Sequence, residues 1–426
     1  MRILGLFFFC FLGCVTQTSE KKKVPNTPQV PQQPKDPDIP LHRVMVIDRD
    51  FDPSLPIFQG KIAGTYTLKC TDECRLKPGL TTHPMQDVGV LRFREKLNKI
   101  IKNRTGNTLT PSEVKYIEDH IVLSHGTATA SVIAYDNPYV QLFLVEVSSL
   151  DSKTSSADPL NPVMTVCHDK LKLKELELEI QKAYAHWNEL VQTPDPSASV
   201  LQKLATDNQI EMVNMSFGRL PDKIIRAQFQ QLGCPVLGEA VILGHRLSYE
   251  RIQKMGILGP TGSYLISHSS GNNSLRIDSA QDTPECLIKG NHLMVGSFNA
   301  AGDISPFSNH GACVDFYTLG SKVITATVGD VLLPLDGTSF SAPLAVRYMT
   351  SFKETSPKEI KEKIASILDS KRFFKMDSKH TRSISYESGP GLPLFGDEIK
   401  TDFFGEKWQK DQIFREAAAL LQRGHL

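Results

Sequence analysis

The sequence predicts an α/β domain in which a mostly parallel central sheet is covered by helices on both faces. Short apolar runs alternate along the chain with longer segments of helical periodicity, as in strand–helix–strand units. The apolar runs are rich in Val, Ile, Leu, Met and Phe, which is typical of strands buried on both faces. The 426-residue chain is 40% hydrophobic and 22% charged, a balance that favours a sizeable core over disorder.

The charge balance argues against one broad class of function. The chain has 48 Lys and Arg residues and 47 Asp and Glu residues, so its formal net charge is +1. Domains that bind nucleic acids usually concentrate positive charge to neutralise phosphates. We therefore expect no nucleic-acid partner.

Residues 1–14 predict an export signal. Met1-Arg2 is a short positive start, and the run from Ile3 to Gly13 is almost wholly apolar but too short to span a bilayer as a stable helix. Phe11-Leu12-Gly13-Cys14 resembles a bacterial lipobox, in which the cysteine is lipidated and becomes the mature N-terminus, although Phe11 replaces the usual aliphatic residue. We expect lipidation of Cys14 and hence a membrane partner through an N-terminal lipid anchor. The alternative is ordinary signal cleavage.

Residues 15–41 predict an extended linker. They are polar, and a proline recurs at every third position from Pro25 to Pro40. This composition stays extended and does not bury a core, so it suits a spacer between a membrane and a folded domain. We expect an exported protein, either a membrane-anchored lipoprotein or a periplasmic or extracellular protein.

The folded part, residues 42–369, shows six candidate strands. They are short, apolar in their middles and bounded by polar or turn-forming residues. These segments are residues 44–48, 140–147, 211–217, 264–269, 292–298 and 322–327. Residues 168–191 predict a helix, because apolar side chains recur there at three- and four-residue steps. We interpret that stripe as packing against the domain, with a partner-binding groove as the alternative.

Six cysteines follow the signal and the linker, namely Cys70, Cys74, Cys167, Cys234, Cys286 and Cys313. An even number in an exported chain is compatible with disulfides, but buried free thiols would give the same count. The close pair Cys70 and Cys74 lacks the second pair that a structural zinc site would need. The sequence therefore assigns no metal site.

Three polar motifs lie at the ends of predicted elements. Asp48 ends an apolar strand, His125 precedes small residues that indicate a helix start, and Ser339 follows Gly337 at the start of another helix. Acyl transfer to a serine needs a base for its proton, a carboxylate that orients the base, and donors for the oxyanion. Each motif alone has an ordinary alternative as a turn or a helix cap. Together they supply the serine, the base and the carboxylate.

The motifs closely resemble those of the subtilisin-like serine proteases. His125-Gly126-Thr127 resembles the histidine block and residues 337–343 the serine block, in the Asp, His, Ser order of that family. Residues 213–218, 269–272, 295–298 and 306–311 resemble further blocks, including the substrate-binding strand and the oxyanion loop. The resemblance covers roughly residues 42 to 352. A lipase of the α/β-hydrolase type is not indicated, because the sequence has no Gly-x-Ser-x-Gly pentad.

The resemblance implies a subtilisin-like three-layer α/β/α domain and a serine endopeptidase that acts on proteins or peptides through an acyl-enzyme. Ser339 would be the nucleophile, His125 the general base and Asp48 the group that orients His125, while Asn272 and the Ser339 N–H would hold the oxyanion. The implied substrate-binding residues are Ser216, Phe217, Gly218, Ser269 and Gly271. No cofactor is required. Calcium often stabilises such proteases, but no ligand set is recognisable.

The sequence departs from the family pattern after the catalytic acid. Asp50 occupies a position where the family usually has glycine. Asp50 and Asp52 are competing candidates for the acid, but only Asp48 directly follows the apolar strand. A catalytically weak or inactive subtilase-like binding protein is the alternative function, motivated by Asp50 and by unusual insertions.

Long spacings between the motifs predict insertions near residues 53–111 and 148–196. Both follow strands, where substrates usually bind in open α/β sheets. They would either restrict access to the cleft or decorate the domain. Residues 370–426 form a C-terminal extension that ends in a helical pattern at residues 406–421, and its role is unknown.

Overall fold

The structure is a computed structural model that describes residues 38–70, 73–80, 125–147, 167, 169–217, 220–254, 264–287, 290–299, 303–327 and 331–369. The strands of its main sheet are β1 His42–Asp48, β2 Ile62–Cys70, β3 Cys74–Pro78, β4 Val140–Val147, β5 Met212–Met215, β6 Leu265–Ser269, β7 His292–Phe298 and β8 Phe316–Leu319. They follow the order β3-β2-β4-β1-β5-β6-β7-β8. Neighbouring strands are parallel, except that β3 runs antiparallel to β2.

Helices of the described residues lie between and after these strands. They are α1 His125–Ala134, α2 Lys170–Ala185, α3 Trp187–Gln192, α4 Pro196–Asp207, α5 Asp222–Gln231, α6 Pro235–Lys254, α7 Thr338–Met349 and α8 Pro357–Asp369. A separate antiparallel sheet pairs β9 Val323–Thr327 with β10 Val331–Leu335. The helical pattern expected over residues 168–191 thus continues through two helices, α2 and α3.

The side chains of β1 alternate between two apolar cores. Val44 and Val46 pack with residues of α1, α7 and α8, whereas Met45 and Ile47 pack with residues of α4. Successive side chains of a strand point to opposite faces, so a strand that is apolar at every position must be covered on both sides. The predicted three-layer α/β/α architecture with a mostly parallel sheet is confirmed.

The strand predictions are accurate where strands are apolar and central. The bounds of β4 and β7 agree with the expectation, and β1, β5 and β6 differ from it only at their ends. The candidate strand at residues 322–327 is observed as β9, one residue shorter, but it pairs antiparallel with β10 and lies outside the main sheet. Strands β2 and β3 were not expected, because they mix Thr, Lys and Arg with apolar residues at an edge of the sheet.

The predicted insertions contribute to the fold. The first, near residues 53–111, contains β2 and the edge strand β3, and the second, near 148–196, contains α2 and α3. The signal, Cys14, residues 15–37 of the linker and the extension at 370–426 lie outside the described residues. Within the described part, none of the helices combines enough length with an apolar sequence to cross a bilayer.

All six cysteines of the domain are paired. The disulfides are Cys70–Cys74, Cys167–Cys234 and Cys286–Cys313. The question that the cysteine count left open is therefore decided in favour of disulfides. Disulfides persist mainly in oxidising compartments, so this pairing is consistent with export.

The topology directs the site to the carboxyl end of β1. After β1 the chain builds β2, β3 and β4 on one side of it, and then β5 to β8 on the other. A change of direction of this kind opens a crevice beyond the carboxyl ends of the strands, where open α/β sheets bind ligands. Asp48 is the last residue of β1 and lies at this crevice.

Candidate active site

Asp48 and His125 form a hydrogen-bonded pair at the crevice. Nδ1 of His125 lies 2.9 Å from each carboxylate oxygen of Asp48, which is 2% exposed. The Arg49 N–H and the Thr129 hydroxyl also donate to Asp48, at 2.8 Å and 3.1 Å. Three donors on this buried carboxylate fix its orientation.

His125 is the first residue of α1, and Gly126 brings it close to β1. The Gly126 N–H donates to the Arg49 carbonyl at 2.7 Å, and a Cβ at Gly126 would lie 2.4 Å from that oxygen. Any larger residue would push the helix away from the loop after Asp48. Gly126 therefore allows His125 to come within hydrogen-bonding distance of Asp48.

The electrostatics of His125 suit a general base. Burial disfavours the charged imidazolium, but the charge of Asp48 and its hydrogen bond outweigh this effect and raise the pKa of His125 above its usual value. Because Nδ1 faces a carboxylate, the proton of neutral His125 belongs on Nδ1 and leaves a lone pair on Nε2. That nitrogen is then an acceptor for a nucleophile's proton.

Ser339 lies in the first turn of α7, close to His125. The ring of Phe340, the next residue, has its centroid 6.1 Å from that of His125. The Ser339 hydroxyl donates to the Ser216 carbonyl at 2.8 Å, so in this structure it is directed at the end of β5. The N–H groups of a first helical turn have no acceptor within the helix, which makes the Ser339 N–H a donor for an anion.

The side chain of Asn272 is held in one orientation. Its Oδ1 accepts from the N–H of Thr338 at 2.9 Å and from the Thr338 hydroxyl at 2.8 Å. Because both donors occupy the oxygen, the amide nitrogen points away from Thr338. Asn272 is exposed, so this nitrogen is available to a ligand in the crevice.

Asn309 holds the loop that carries Asn272, and the sequence did not single it out for this role. Its Nδ2 donates to the Ser270 carbonyl at 2.8 Å, and its Oδ1 accepts from the N–H groups of Asn273 and Leu275, each at 3.1 Å. Gly271 has φ +97, and a Cβ there would lie 2.6 Å from the Asn309 amide nitrogen. The loop therefore needs glycine at this position.

Thr129 and Thr338 also make polar contacts at the site, and the sequence motifs did not indicate these contacts. Thr129 lies four residues after His125, which places both side chains on one face of α1, so helical spacing is a signal that points to it. Thr338 precedes Ser339 within the serine block. Asn309 lies in the block 306–311 that resembles the family, but the sequence did not indicate which residues it holds, because its contacts are made across a long sequence separation.

The implied substrate-binding residues differ in exposure. Ser216 is 1% and Ser269 3% exposed, whereas Phe217 and Gly271 are partly exposed. Gly218 lies outside the described residues. Ser216 and Phe217 directly follow β5, and Ser216 contacts Ser339, so the structure brings this segment to Ser339.

Comparison with protein families identifies the chain. The family model described as the Subtilase family matches residues 42–372. The chain belongs to the subtilase family. This confirms the resemblance inferred from the motifs and assigns the domain to a family of serine-type peptidases.

Solved structures similar to this subtilase have low sequence identity to it. The PatG macrocyclase in complex with peptide is 15% identical, with 80% of this chain and 86% of that chain covered and a TM-score of 0.43. A cold adapted subtilisin-like serine proteinase is 15% identical over 80% of this chain and 87% of its own, with a TM-score of 0.37. None of the curated protein sequences matches the chain.

Asp50 adopts the backbone conformation that the family's usual glycine favours. Its φ is +58, in the left-handed region, which Asp tolerates better than most residues do. Burial raises the pKa of its carboxyl to about 7; the charge of Arg49 opposes the shift, and Glu146 and Asp48 reinforce it. The substitution in this subtilase thus keeps the turn and adds a titratable group beside Asp48.

The described part of this subtilase contains no recognisable metal-binding centre. No group of three or more His, Cys, Asp and Glu side chains there is arranged to hold a metal ion. The expectation that catalysis requires no cofactor stays a prediction.

Proposed function

We propose that this subtilase is a serine endopeptidase that hydrolyses peptide bonds of proteins or peptides through an acyl-enzyme. The observation that carries the proposal is the hydrogen bond of 2.9 Å from His125 to the buried carboxylate of Asp48, next to the helix turn that presents Ser339. A base oriented in this way needs only a hydroxyl within reach of its second nitrogen.

The proposed reaction begins with a rotation of the Ser339 side chain from the Ser216 carbonyl to Nε2 of His125. The Ser339 oxygen attacks the scissile carbonyl carbon while its proton passes to Nε2. The oxyanion is held by the Asn272 amide and the Ser339 N–H. His125 then gives the proton to the leaving amine as the C–N bond breaks. A water molecule repeats the attack on the acyl-enzyme, with His125 again taking and returning a proton, and releases the acid and Ser339.

We further propose that an extended peptide binds along residues 216–218. Pairing with the edge of a strand provides main-chain hydrogen bonds and little selectivity by itself. The Ser216 carbonyl is the natural acceptor for a substrate N–H next to the scissile bond. Substrate binding would then displace the Ser339 hydroxyl and direct it to His125.

A binding protein without turnover is the second candidate. The hydrogen bond from Ser339 to Ser216 favours it, because the nucleophile is not directed at its base. The complete set of Asp48, His125, Ser339 and Asn272 favours the enzyme.

Labelling with a fluorophosphonate probe separates the two candidates. We expect the wild type to be labelled on Ser339 and to hydrolyse an unstructured protein substrate. Ser339→Ala and His125→Ala should each abolish turnover while their unfolding curves stay close to that of the wild type. A folded wild-type protein that neither reacts with the probe nor cleaves would favour the binding protein, and a label on another serine would contradict the assignment.

The protein is proposed to act outside the cytoplasm, held by a lipid on Cys14. Three disulfides in the described domain support an oxidising compartment. Two acyl chains suffice to anchor a folded domain to a membrane, and the proline-rich linker would separate the two.

A further inference from the structure

Two buried histidines lie behind the segment proposed to bind substrate, and the mechanism uses neither of them. His268 of β6 is 1% exposed, and His292, the first residue of β7, is 5% exposed. Their ring centroids are 5.3 Å apart. A buried polar side chain destabilises the fold unless it is hydrogen bonded. The presence of these two histidines in the central strands β6 and β7 therefore requires an explanation.

His268 makes one hydrogen bond that reaches the substrate segment. Its Nε2 lies 2.8 Å from the carbonyl oxygen of Phe217. Because a carbonyl only accepts, Nε2 must carry the proton. Nδ1 is buried and has no hydrogen-bond partner among the described residues. Burial lowers the pKa of His268, although Glu285 and the bond to Phe217 oppose this, so the neutral tautomer persists at neutral pH.

The position of Phe217 explains why such a bond matters. Strand β5 ends at Met215, whose register partner in β6 is His268. Ser216 and Phe217 then leave the sheet. Ser216 is held by Asn214, whose Nδ2 donates to its hydroxyl at 2.9 Å, and its carbonyl accepts from Ser339. The segment thus runs between the nucleophile on one side and the His268 ring on the other.

We infer that His268 is a positioning residue for substrate binding: its Nε2–H holds the Phe217 carbonyl, and so keeps residues 216–217 extended for pairing with a peptide. This inference rests on the proposed function. The role is assigned to substrate binding because the bond acts on the segment that pairs with the peptide. Among the described residues, the His268 ring makes no hydrogen bond to Asp48, His125, Ser339 or Asn272, although the Ser216 carbonyl of the same segment accepts from Ser339. Its loss should therefore raise KM more than it lowers kcat.

Three substitutions of His268 test whether a donor is needed at the position of Nε2. The amide nitrogen of Gln occupies about the place of Nε2 of His, whereas that of Asn occupies about the place of Nδ1. His268→Leu and His268→Asn should raise KM for a peptide substrate by roughly five- to tenfold, as expected for the loss of one buried hydrogen bond. His268→Gln should restore KM to within about twofold of the wild-type value, since the donor is kept.

His292→Leu is the matched control, since it removes the neighbouring buried ring and leaves the bond to Phe217. It should change the midpoint of urea unfolding without raising KM. If His292→Leu raises KM as much as His268→Leu does, or if Gln rescues no better than Asn, the effect is one of packing and the inference is wrong.

A fluorophosphonate probe distinguishes failure of this inference from failure of the proposed function. The probe is too small to pair along residues 216–218, so it should label Ser339 at similar rates in the wild type and in all His268 variants. Equal labelling with unchanged KM in His268→Leu would overturn the inference and leave the peptidase intact. A folded wild type without labelling or cleavage would overturn both.

Discussion

At the scale of single residues, the candidate site depends on side chains whose direction is set by their own hydrogen bonds. The Thr338 N–H and hydroxyl hold Asn272, and Arg49 and Thr129 help to hold Asp48. Such preorganised dipoles stabilise developing charge because they need little reorientation during the reaction. The groups that hold a proposed catalytic residue are therefore as testable as the residue itself.

Asn272→Ala should lower kcat strongly and change KM little, because the donor acts on charge that develops in the transition state. The loss of one oxyanion donor costs a subtilisin about 10²–10³ in kcat, and we expect the same order here.

Thr338→Val removes one of the two hydrogen bonds to Asn272 and should lower kcat less. Steady-state kinetics with a peptide substrate measure both effects. Asn273→Ala, in the same loop, is the control, and an Asn272→Ala variant with wild-type kcat would assign the oxyanion to other donors.

Asp50→Asn should stabilise the folded protein at alkaline pH and have no such effect in acid. The pKa of Asp50 is raised to about 7 in the folded state, so the folded state prefers the protonated form. The Asp50 carboxyl does not affect the free energy of unfolding below the unfolded value of 3.8. It lowers that free energy as the pH rises, and its effect is constant above about 7. The difference between 3.8 and about 7 corresponds to about 4 kcal/mol, which is the upper limit of the gain of the variant at pH 8 because Asp50 is partly exposed. Asn tolerates the positive φ.

Urea unfolding of Asp50→Asn and the wild type at pH 4 and pH 8 measures this difference. An equal gain for Asp50→Asn at both pH values would show that the carboxyl does not titrate as proposed.

At the scale of elements, the disulfides differ in whether the sheet already joins the segments that they link. Cys167–Cys234 lies in an apolar cluster with residues of α2 and α6. Cys70–Cys74 connects the end of β2 to the start of β3 at the sheet edge. The sequence separations are 67 for the first pair and 4 for the second. A cross-link that closes a longer loop removes more entropy from the unfolded chain.

Removal of the long-range disulfide should destabilise the protein more than removal of the hairpin disulfide. The chain-entropy model predicts a loss of about 4 kcal/mol for Cys167→Ala with Cys234→Ala, and about 2 kcal/mol for Cys70→Ala with Cys74→Ala. Urea unfolding without reductant gives both values. An equal loss for the two double variants would indicate that native packing, and not loop closure, decides their stability.

At the scale of the whole molecule, the peptidase domain accounts for most of the chain. The family match covers residues 42–372 and begins just after the proline-rich stretch. The described part starts at residue 38 and leads directly into β1, the strand that carries Asp48. A linker in this position would place the domain at the end of an N-terminal tether.

Cys14→Ala should release the protein from membranes when the full chain is expressed in a bacterium that processes lipoproteins. We expect the wild type in the membrane fraction, with palmitate incorporated and a diacylated N-terminal cysteine in its mass spectrum. Cys10→Ala is the control, because it lies in the apolar run and should leave both results unchanged. An unmodified N-terminus at another residue in the wild type would mean ordinary signal cleavage.

The sequence alone determined the fold class, the central strands and the set of candidate groups Asp48, His125, Ser339 and Asn272. These features are local: periodicity is set by consecutive residues, and small residues or glycines flank each motif because backbone segments approach closely there. The buried strands β4 and β7 were predicted with their observed bounds because both faces are apolar.

Only the tertiary structure decided which cysteines pair, how β2 and the edge strand β3 join the sheet, and which groups orient the site. Asn309 is separated from Ser270 by 39 residues, and His268 from Phe217 by 51. Such contacts depend on how distant segments pack, and a half-exposed edge strand lacks the apolar pattern that marks a central one. The chemical groups of the site can thus be predicted from the sequence, whereas their orientation depends on the fold.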